Sequence, residues 1–496
     1  MTKSIYWHDY EAWGADPRQD RASQFAGIRT SLDLEEMGEP LMMYCQPAPD
    51  RLPHPRACLI TGITPQYARS HGVPEVEFVR RIHQQFSEPG TCVAGYNSIR
   101  FDDELTRQLL YRNFYDPYER EWKHGNSRWD IIDMLRLCHA VRPEGINWVT
   151  QDDGSPVFRL ELLSQANGLL HDDAHDALAD VRATIGMARK VRQAQPKLFQ
   201  FVFDLRSKQR VLSMIDLREQ KPLLHVSAMY AASRYCIAPV MPLALHPGES
   251  NGVLLYDLSC DPRPWLAMDE ERLHYHLFTA KRDLLDGETR LPVAVMHTNR
   301  CPVIAPLAVL DDCHAPLPGM DLAAARQHWQ LLRHNPGFCQ RLLAVFGQRQ
   351  RLLPDVHDPD QQLYSGGFFS DADKRLMADI RQLGANELRL EQPRLLAAMR
   401  DQRLPEMLFR YRARNFPHSL TQDEQMRWKQ WCRHNWMPSP QAMAVGSTNP
   451  ETLDLARCRA LIREEREDPA NTGKSAILDE LEQWLSGLEQ WALSSD

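Results

Sequence analysis

Aromatic and β-branched residues dominate Ile5 to Asp9 in SIYWHDYEAWG, a strand pattern that continues through Glu11. TCVAGYN predicts a second strand, and FDDELTRQLLYRNF a helix with acidic residues in its first turn. SRWDIIDMLRLCHAV and FRLELLSQANGL read as amphipathic helices, and AHDALADVRATIGMARKVRQAQP as a long one that Pro196 closes. This alternation predicts an α/β domain over residues 1–196. From 197 to 350 short apolar runs (VLLYDL, LPVAVMHTN) are split by Pro- and Gly-containing turns, which predicts a small β-rich domain with one or two helices. RLLPDVHDPDQ reads as a linker. Beyond it SDADKRLMADIRQL, PRLLAAMRDQ, LPEMLFRYRARNF, TQDEQMRWKQWCRHNW and AILDELEQWLSGLEQWAL predict a helical domain over 351–496.

The length of 496 residues agrees with three domains of about 150 residues each. No apolar run reaches membrane-spanning length and no signal peptide precedes the first strand, so a cytoplasmic protein without a membrane partner is expected. The 11 cysteines include no C-x-x-C pair, which argues against structural zinc and a disulfide framework. With 58 basic and 66 acidic residues the net charge is −8, so any nucleic-acid track must be local. One stretch supplies it: Arg182, Arg189, Lys190, Arg192, Lys197, Arg206, Lys208, Arg210, Arg218 and Lys221 are opposed only by Asp204, Asp216 and Glu219. A solvated helix face running into a domain junction accounts for it equally well.

Side chains two apart on a strand share a face, so Asp9 and Glu11 point one way and Tyr10 the other. Two carboxylates that close repel unless a cation sits between them, and divalent metals with oxygen ligands meet that need. Asp102 in NSIRFDDE opens a helix after a strand, where a lone Asp is commonly just a cap. His175 and Asp180 bracket HDALAD; five residues turn a helix by about 500°, leaving the two side chains roughly 140° apart. His175 therefore belongs on the loop or first turn, with Asp180 a turn further in. Four carboxylates and a base that titrates near neutrality are the inventory for two-metal phosphodiester hydrolysis, with His175 taking the proton of the attacking water.

The order D-x-E, D, H-x4-D resembles the histidine-bearing branch of the DEDD superfamily of 3′-to-5′ exonucleases. HDYE-x-x-G, QFA-x-IRT, GYN-x-x-RFDDE, YRNFYDPY, NSRWD, VRPEGINW, FRLE-x-L, ANG, AHDALADV, KPL-x-HVS, NRCPV, GFFSDAD and YRARNFP narrow the resemblance to the bacterial exodeoxyribonuclease I family. The resemblance implies a ribonuclease-H-like exonuclease domain, an SH3-like domain and a helical domain arranged as a C. It also implies release of 5′-mononucleotides from the 3′ end of single-stranded DNA, in repair and recombination. By matching motifs, Asp9, Glu11, Asp102 and Asp180 carry over as ligands of two Mg²⁺ ions, with Mn²⁺ a possible substitute. His175 carries over as general base, and Glu11 and Arg159 as contacts to the terminal nucleotide.

Stacking rings and cations suit sequence-independent binding of single strands, at about 1–3 kcal/mol per stacked base. Tyr118 and Trp122 follow Arg107 in the sequence, and Arg136, Lys208, Asn251 and Asn299 lie in other family-like stretches. Tyr364, Ser365, Gly366, Gly367, Phe368 and Phe369 bring the helical domain to the strand, the glycines allowing close backbone approach. The family also implies docking of the acidic, apolar C-terminal tail of single-stranded-DNA-binding protein, for which Arg142 and Lys221 are the candidates, and a monomer. Three departures stand out: Ala12 where the family often has Thr or Ser, an extra residue in LYSGGFF, and Ala294 where a basic residue would suit the track. An exonuclease of RNA and a catalytically idle DNA-binding scaffold are the alternatives.

Overall fold

The computed structural model describes residues 3–169, 176–310, 317–348, 356–437 and 453–494. They form two compact units: Met1–Ser127 with Asp172–Arg182 and Leu353–Asp496, and Arg128–His171 with Ala183–Leu352.

The first unit is built on the strand that the sequence announces. Strand β1, Ser4–Ala12, lies antiparallel to β2, Ala22–Thr30, which pairs with β3, Leu41–Tyr44. On its other edge β1 runs parallel to β4, Thr91–Gly95. Alternation along β1 sends Tyr6 and Tyr10 into a core with Phe25, Phe78 and Phe86. His8 joins this ring cluster, its Nδ1 3.1 Å from Ala94 O. Gly27 sits where a Cβ would come within 2.4 Å of the Tyr6 ring, so the register of β1 on β2 needs a glycine there. Helix Glu75–Phe86 lays Phe78, Val79, Ile82 and Phe86 on this core at helical spacing.

The C-terminal helices of this unit bury two further clusters. Asp371–Ile380, Ala385–Ala398 and Leu404–Asn415 pack around Tyr111 and Phe114. Gln422–Trp436, Leu455–Glu467 and Ser475–Leu493 pack against the short helices Pro55–Thr61 and Pro65–His71. A buried ion network ties N- and C-terminal segments together: Arg21 to Asp50 at 2.5 Å, and Arg414 to Asp50 at 3.4 Å and Asp360 at 2.7 Å.

The second unit holds a five-stranded antiparallel sheet in the order Val293–His297, Gly252–Asp257, Ile237–Leu245, Leu223–Val226, Val303–Pro306. Its helix content exceeds the expected one or two. Pro196–Asp204, Lys208–Met214, Glu270–Phe278, Leu322–Arg333 and Pro336–Gln348 are all helical. Two of these begin on aspartate caps: Asp269 accepts from Arg272 N, and Asp321 from the amides of Ala323 and Ala324. Pro196 does more than end the long helix Ala177–Ala194. It occupies the first turn of Pro196–Asp204, where a missing N–H costs nothing.

SRWDIIDMLRLCHAV needs a second correction. Ser127–Asp130 is a strand, and the helix spans Ile132–Val141. Asp130 Oδ1 accepts from the Ile132 amide at 3.0 Å and so marks the start of that helix. No helix of the described residues is long and apolar enough to cross a membrane.

Candidate active site

Asp9 and Glu11 are the two half-buried positions of the otherwise buried β1, and they share the face opposite Tyr10. Directly across the β1–β2 pairing lie Ala26 for Asp9 and Gln24 for Glu11, so Gln24 points to the same face. Gln24 Nε2 donates to Asp176 Oδ1 at 3.0 Å, and its Oε1 accepts from the Ala177 amide at 3.4 Å. These bonds fasten the start of the helix Ala177–Ala194 to the strand, and Asp180 follows in its first turn. Carboxylate oxygens of Asp9, Glu11 and Asp180 all come within 4.8 Å of one another.

Asp102 opens the helix Asp102–Arg112, and its Oδ1 accepts the Tyr10 amide at 3.2 Å, which holds it against β1. Asp103, its neighbour, turns to Arg120 instead, at 2.6 Å with both side chains buried. The pair DD thus divides into one residue drawn to the carboxylate cluster and one neutralised in the core.

The electrostatics of the cluster test whether a metal suits it. Burial and the charges of Asp102, Glu11, Asp180 and Asp176 push the Asp9 carboxyl well above its ordinary value. Burial, then Asp180, Asp102 and Asp176, push Glu11 up to about 8. An all-anionic cluster is unfavourable by itself, and an all-oxygen donor set suits a hard divalent cation. The residues present fit such an ion. His175 lies outside the described residues.

The expected strand contacts fall in both units. In the first, Arg107 donates to Glu121 at 2.7 and 3.0 Å and lies 5.4 Å from the Tyr118 ring centre. Its Nη1 is 3.4 Å from Tyr364 Oη, and Tyr364 Oη donates to Glu104 at 2.6 Å. Arg107 is thus a brace between two rings as much as a cation. Trp122 is 65% exposed and Phe368 86% exposed, while Phe369 stacks on Tyr111 at 5.8 Å. In LYSGGFF the two glycines are both required by the local geometry. A Cβ on Gly366 would meet Arg403 Nη1 at 2.2 Å, and Gly367 has φ +72°. Arg403 Nη2 donates to Gly367 O at 3.1 Å and fixes the loop, in which Ser365 is half-buried.

In the second unit Lys208 Nζ donates to Asn251 Oδ1 at 2.5 Å. Asn251 O accepts from the amide and hydroxyl of Thr298, beside Asn299, so these three candidates lie together. Arg159 is exposed at the N-cap of Leu160–Ala166. Arg136 pairs with Asp133 at 2.6 Å and lies 5.7 Å from the Phe158 ring centre. Lys221 is exposed and 3.4 Å from Asp216, whereas Arg142 is half-buried and donates to Val141 O. Ala294 pairs with Leu255 inside the sheet, and Ala12 is buried at the end of β1.

Three family models match the chain: Exonuclease over residues 6–187, Exonuclease I SH3-like domain over 206–348, and Exonuclease I C-terminal domain over 357–488. Exodeoxyribonuclease I of Escherichia coli (strain K12) is 46% identical over 435 residues, covering 88% of this chain and 90% of the relative. A moderately thermophilic exonuclease I from Methylocaldum szegediense superposes with a TM-score of 0.89 at 47% identity, covering 98% of this chain and 99% of that one. The zinc-bound form of an E. coli exonuclease I–single-stranded DNA complex gives 0.88 at 40% identity, covering 99% and 100%.

Proposed function

The chain belongs to the exonuclease I family, and we propose that it hydrolyses single-stranded DNA from the 3′ end to 5′-mononucleotides, in DNA repair and recombination. The observation that carries the reading is the meeting of Asp9, Glu11 and Asp180 within 4.8 Å, with Asp102 held to the same strand. Asp9, Glu11, Asp102 and Asp180 would hold divalent cations, two Mg²⁺ ions in this reading, with Mn²⁺ able to substitute. Bound there, the cations supply Lewis-acid activation of water and charge neutralisation on the phosphate.

The remaining work falls to the chain. Gln24 orients the start of the helix that carries Asp180, and the Tyr10 amide orients Asp102. His175 takes the proton of the attacking water, a role typically worth about 10²–10⁴ in rate. Arg159 and Glu11 hold the terminal nucleotide, the guanidinium on a phosphate oxygen. Arg107, Tyr118, Trp122, Arg136, Lys208, Asn251, Asn299 and the loop Tyr364 to Phe369 line the strand path. The three-part division 1–196, 197–350 and 351–496 belongs to the same reading, as does a cytoplasmic monomer. So does docking of the tail of single-stranded-DNA-binding protein on Arg142 and Lys221, of which Lys221 is exposed and Arg142 half-buried.

The test uses DNA and RNA oligonucleotides labelled at either end, with Mg²⁺ and with EDTA. Mononucleotides should leave the 3′ end of DNA first, and EDTA, Asp9→Ala or Asp180→Ala should abolish release. RNA degraded at an equal rate would replace the DNA reading by the RNA one, and binding without cleavage would leave a scaffold.

A further inference from the structure

The hairpin that joins Ile237–Leu245 to Gly252–Asp257 carries an acid where the strand path calls for a cation. Glu249 stands two residues before Asn251, which is bonded to Lys208. A loose carboxylate there would repel a phosphate held by Lys208. The carboxylate is not loose. Its Oε2 lies 2.7 Å from His297 Nε2 and its Oε1 3.9 Å from His246 Nε2, and the side chain is only 18% exposed.

His297 ends the strand Val293–His297 and pairs in register with Gly252. Gly252 permits the bend, because a Cβ there would come within 2.7 Å of His246 Cβ and 3.3 Å of Glu249 Cβ. The Glu249 carbonyl accepts the Gly252 amide at 2.8 Å, and the Gly252 carbonyl accepts the His246 amide at 2.9 Å. The tip therefore folds back on the sheet, with the Glu249 carboxylate on His297.

This fold-back sets the residues that follow at both ends. Asn251 O accepts the amide of Thr298 at 2.9 Å and its hydroxyl at 3.2 Å, and Asn299 O accepts from Arg128 Nη2 at 2.9 Å. Lys208 Nζ gives one hydrogen to Asn251 Oδ1, which leaves its others and those of Asn251 Nδ2 for an anionic acceptor. Asp204, the acid that precedes Lys208, is paired with Arg206 at 3.8 Å and accepts from Gln200 at 2.9 Å, while Arg210 and Arg300 are exposed.

We propose that Glu249 is a positioning residue for the strand: held on His297, it fixes the hairpin tip so that Asn251 and Lys208 meet one phosphate, and it keeps its own charge turned away. The proposal rests on the single-strand reading above, which assigns Lys208 and Asn251 but neither Glu249 nor His297.

The sign of two substitutions tests it. The full-length protein in EDTA is titrated with a fluorescent oligonucleotide long enough to reach Lys208. Glu249→Ala removes a negative charge near the strand, yet it should weaken binding, roughly three- to thirtyfold. Glu249→Gln also removes the charge but keeps an oxygen for His297, so it should bind at least as tightly as wild type. His297→Ala should reproduce the loss, and in a Lys208→Ala background Glu249→Ala should add little to it. With Mg²⁺ the loss should appear in KM for long strands, with kcat near wild type. Tighter binding by both Glu249 variants, or wild-type binding by both, would overturn the proposal, leaving Glu249 a bystander charge. So would an undiminished effect of Glu249→Ala in the Lys208→Ala background. Unchanged affinity in Lys208→Ala alone would overturn the strand path through Lys208, and the proposal with it.

Discussion

Arg120 Nη2 donates to Asp103 Oδ1 at 2.6 Å in a pair with almost no solvent exposure, while one residue earlier Asp102 accepts the backbone amide of Tyr10. Two adjacent, chemically identical side chains therefore have opposite roles. Asp102→Asn keeps an oxygen for the Tyr10 amide and removes a charge that repels Asp9 and Glu11. Activity should fall by about 10²-fold or more, with the melting temperature in EDTA unchanged or raised. Asp103→Ala leaves a buried guanidinium without its counter-charge and should cost about 3–5 kcal/mol. The two variants should separate cleanly in a melting curve paired with an exonuclease assay. Equal loss of stability in both would refute the division.

Divalent metal should stabilise the protein as well as activate it. The cluster of Asp9, Glu11 and Asp180 is strained by its own charge, and a ligand that binds only the folded state adds about 2.7 kcal/mol at one hundred times its dissociation constant. The melting temperature should rise with Mg²⁺ over EDTA, and Asp9→Asn should flatten that rise. A metal response in Asp9→Asn as large as in wild type would place the binding elsewhere.

Gln24 touches no expected substrate group, yet it holds Asp176 and the Ala177 amide, one turn before Asp180. It is a positioning residue. Gln24→Ala should lower kcat and metal affinity by roughly 10–100-fold while KM for long strands stays near wild type, because the strand path is untouched. A purely structural role would lower the melting temperature and leave the metal titration unmoved.

What the sequence disclosed follows from distance along the chain. Asp9 and Glu11 were legible because strand alternation is local, and Asp180 because helical spacing is. The partners that sort Asp102 from Asp103, and Gln24 from any other strand residue, lie 17 to 153 positions away and leave no local signature. Arg107 illustrates the same limit. Its type, a cation near aromatic residues in the sequence, marks it as a candidate strand contact, but its 5.4 Å approach to the Tyr118 ring and its bidentate bond to Glu121 have no local signature. The helices of the second unit were under-read for another reason. Asp269 and Asp321 are helix caps that the sequence carries, but the Pro- and Gly-rich turns between them leave each helix short and its period weak. The strand Ser127–Asp130 merged with the next helix because a short apolar run carries no period of its own.

Glu75, at the start of its helix and 7% exposed, accepts from Arg112 Nη2 and from Asn113 Nδ2, both at 2.8 Å. Burial alone would raise its carboxyl, but the Arg112 charge and hydrogen bonds outweigh it and hold the group near about 2. A depressed carboxylate contributes stability fully above its unfolded value of about 4.5 and loses it as pH falls toward about 2. The shift corresponds to something on the order of 3 kcal/mol. Glu75→Gln removes that contribution and leaves Arg112 without its counter-charge. The stability gap between wild type and Glu75→Gln, read from urea midpoints, should be widest at pH 6–7, narrow through pH 4, and be smallest near pH 2. Asp50 and Asp360, also held low by arginines, remain in both proteins and largely drop out of the difference. A gap that stayed constant from neutral pH to pH 2 would mean that Glu75 is ionised in neither state or bonded alike in both, and the buried pair would not be the acid-sensitive joint described here.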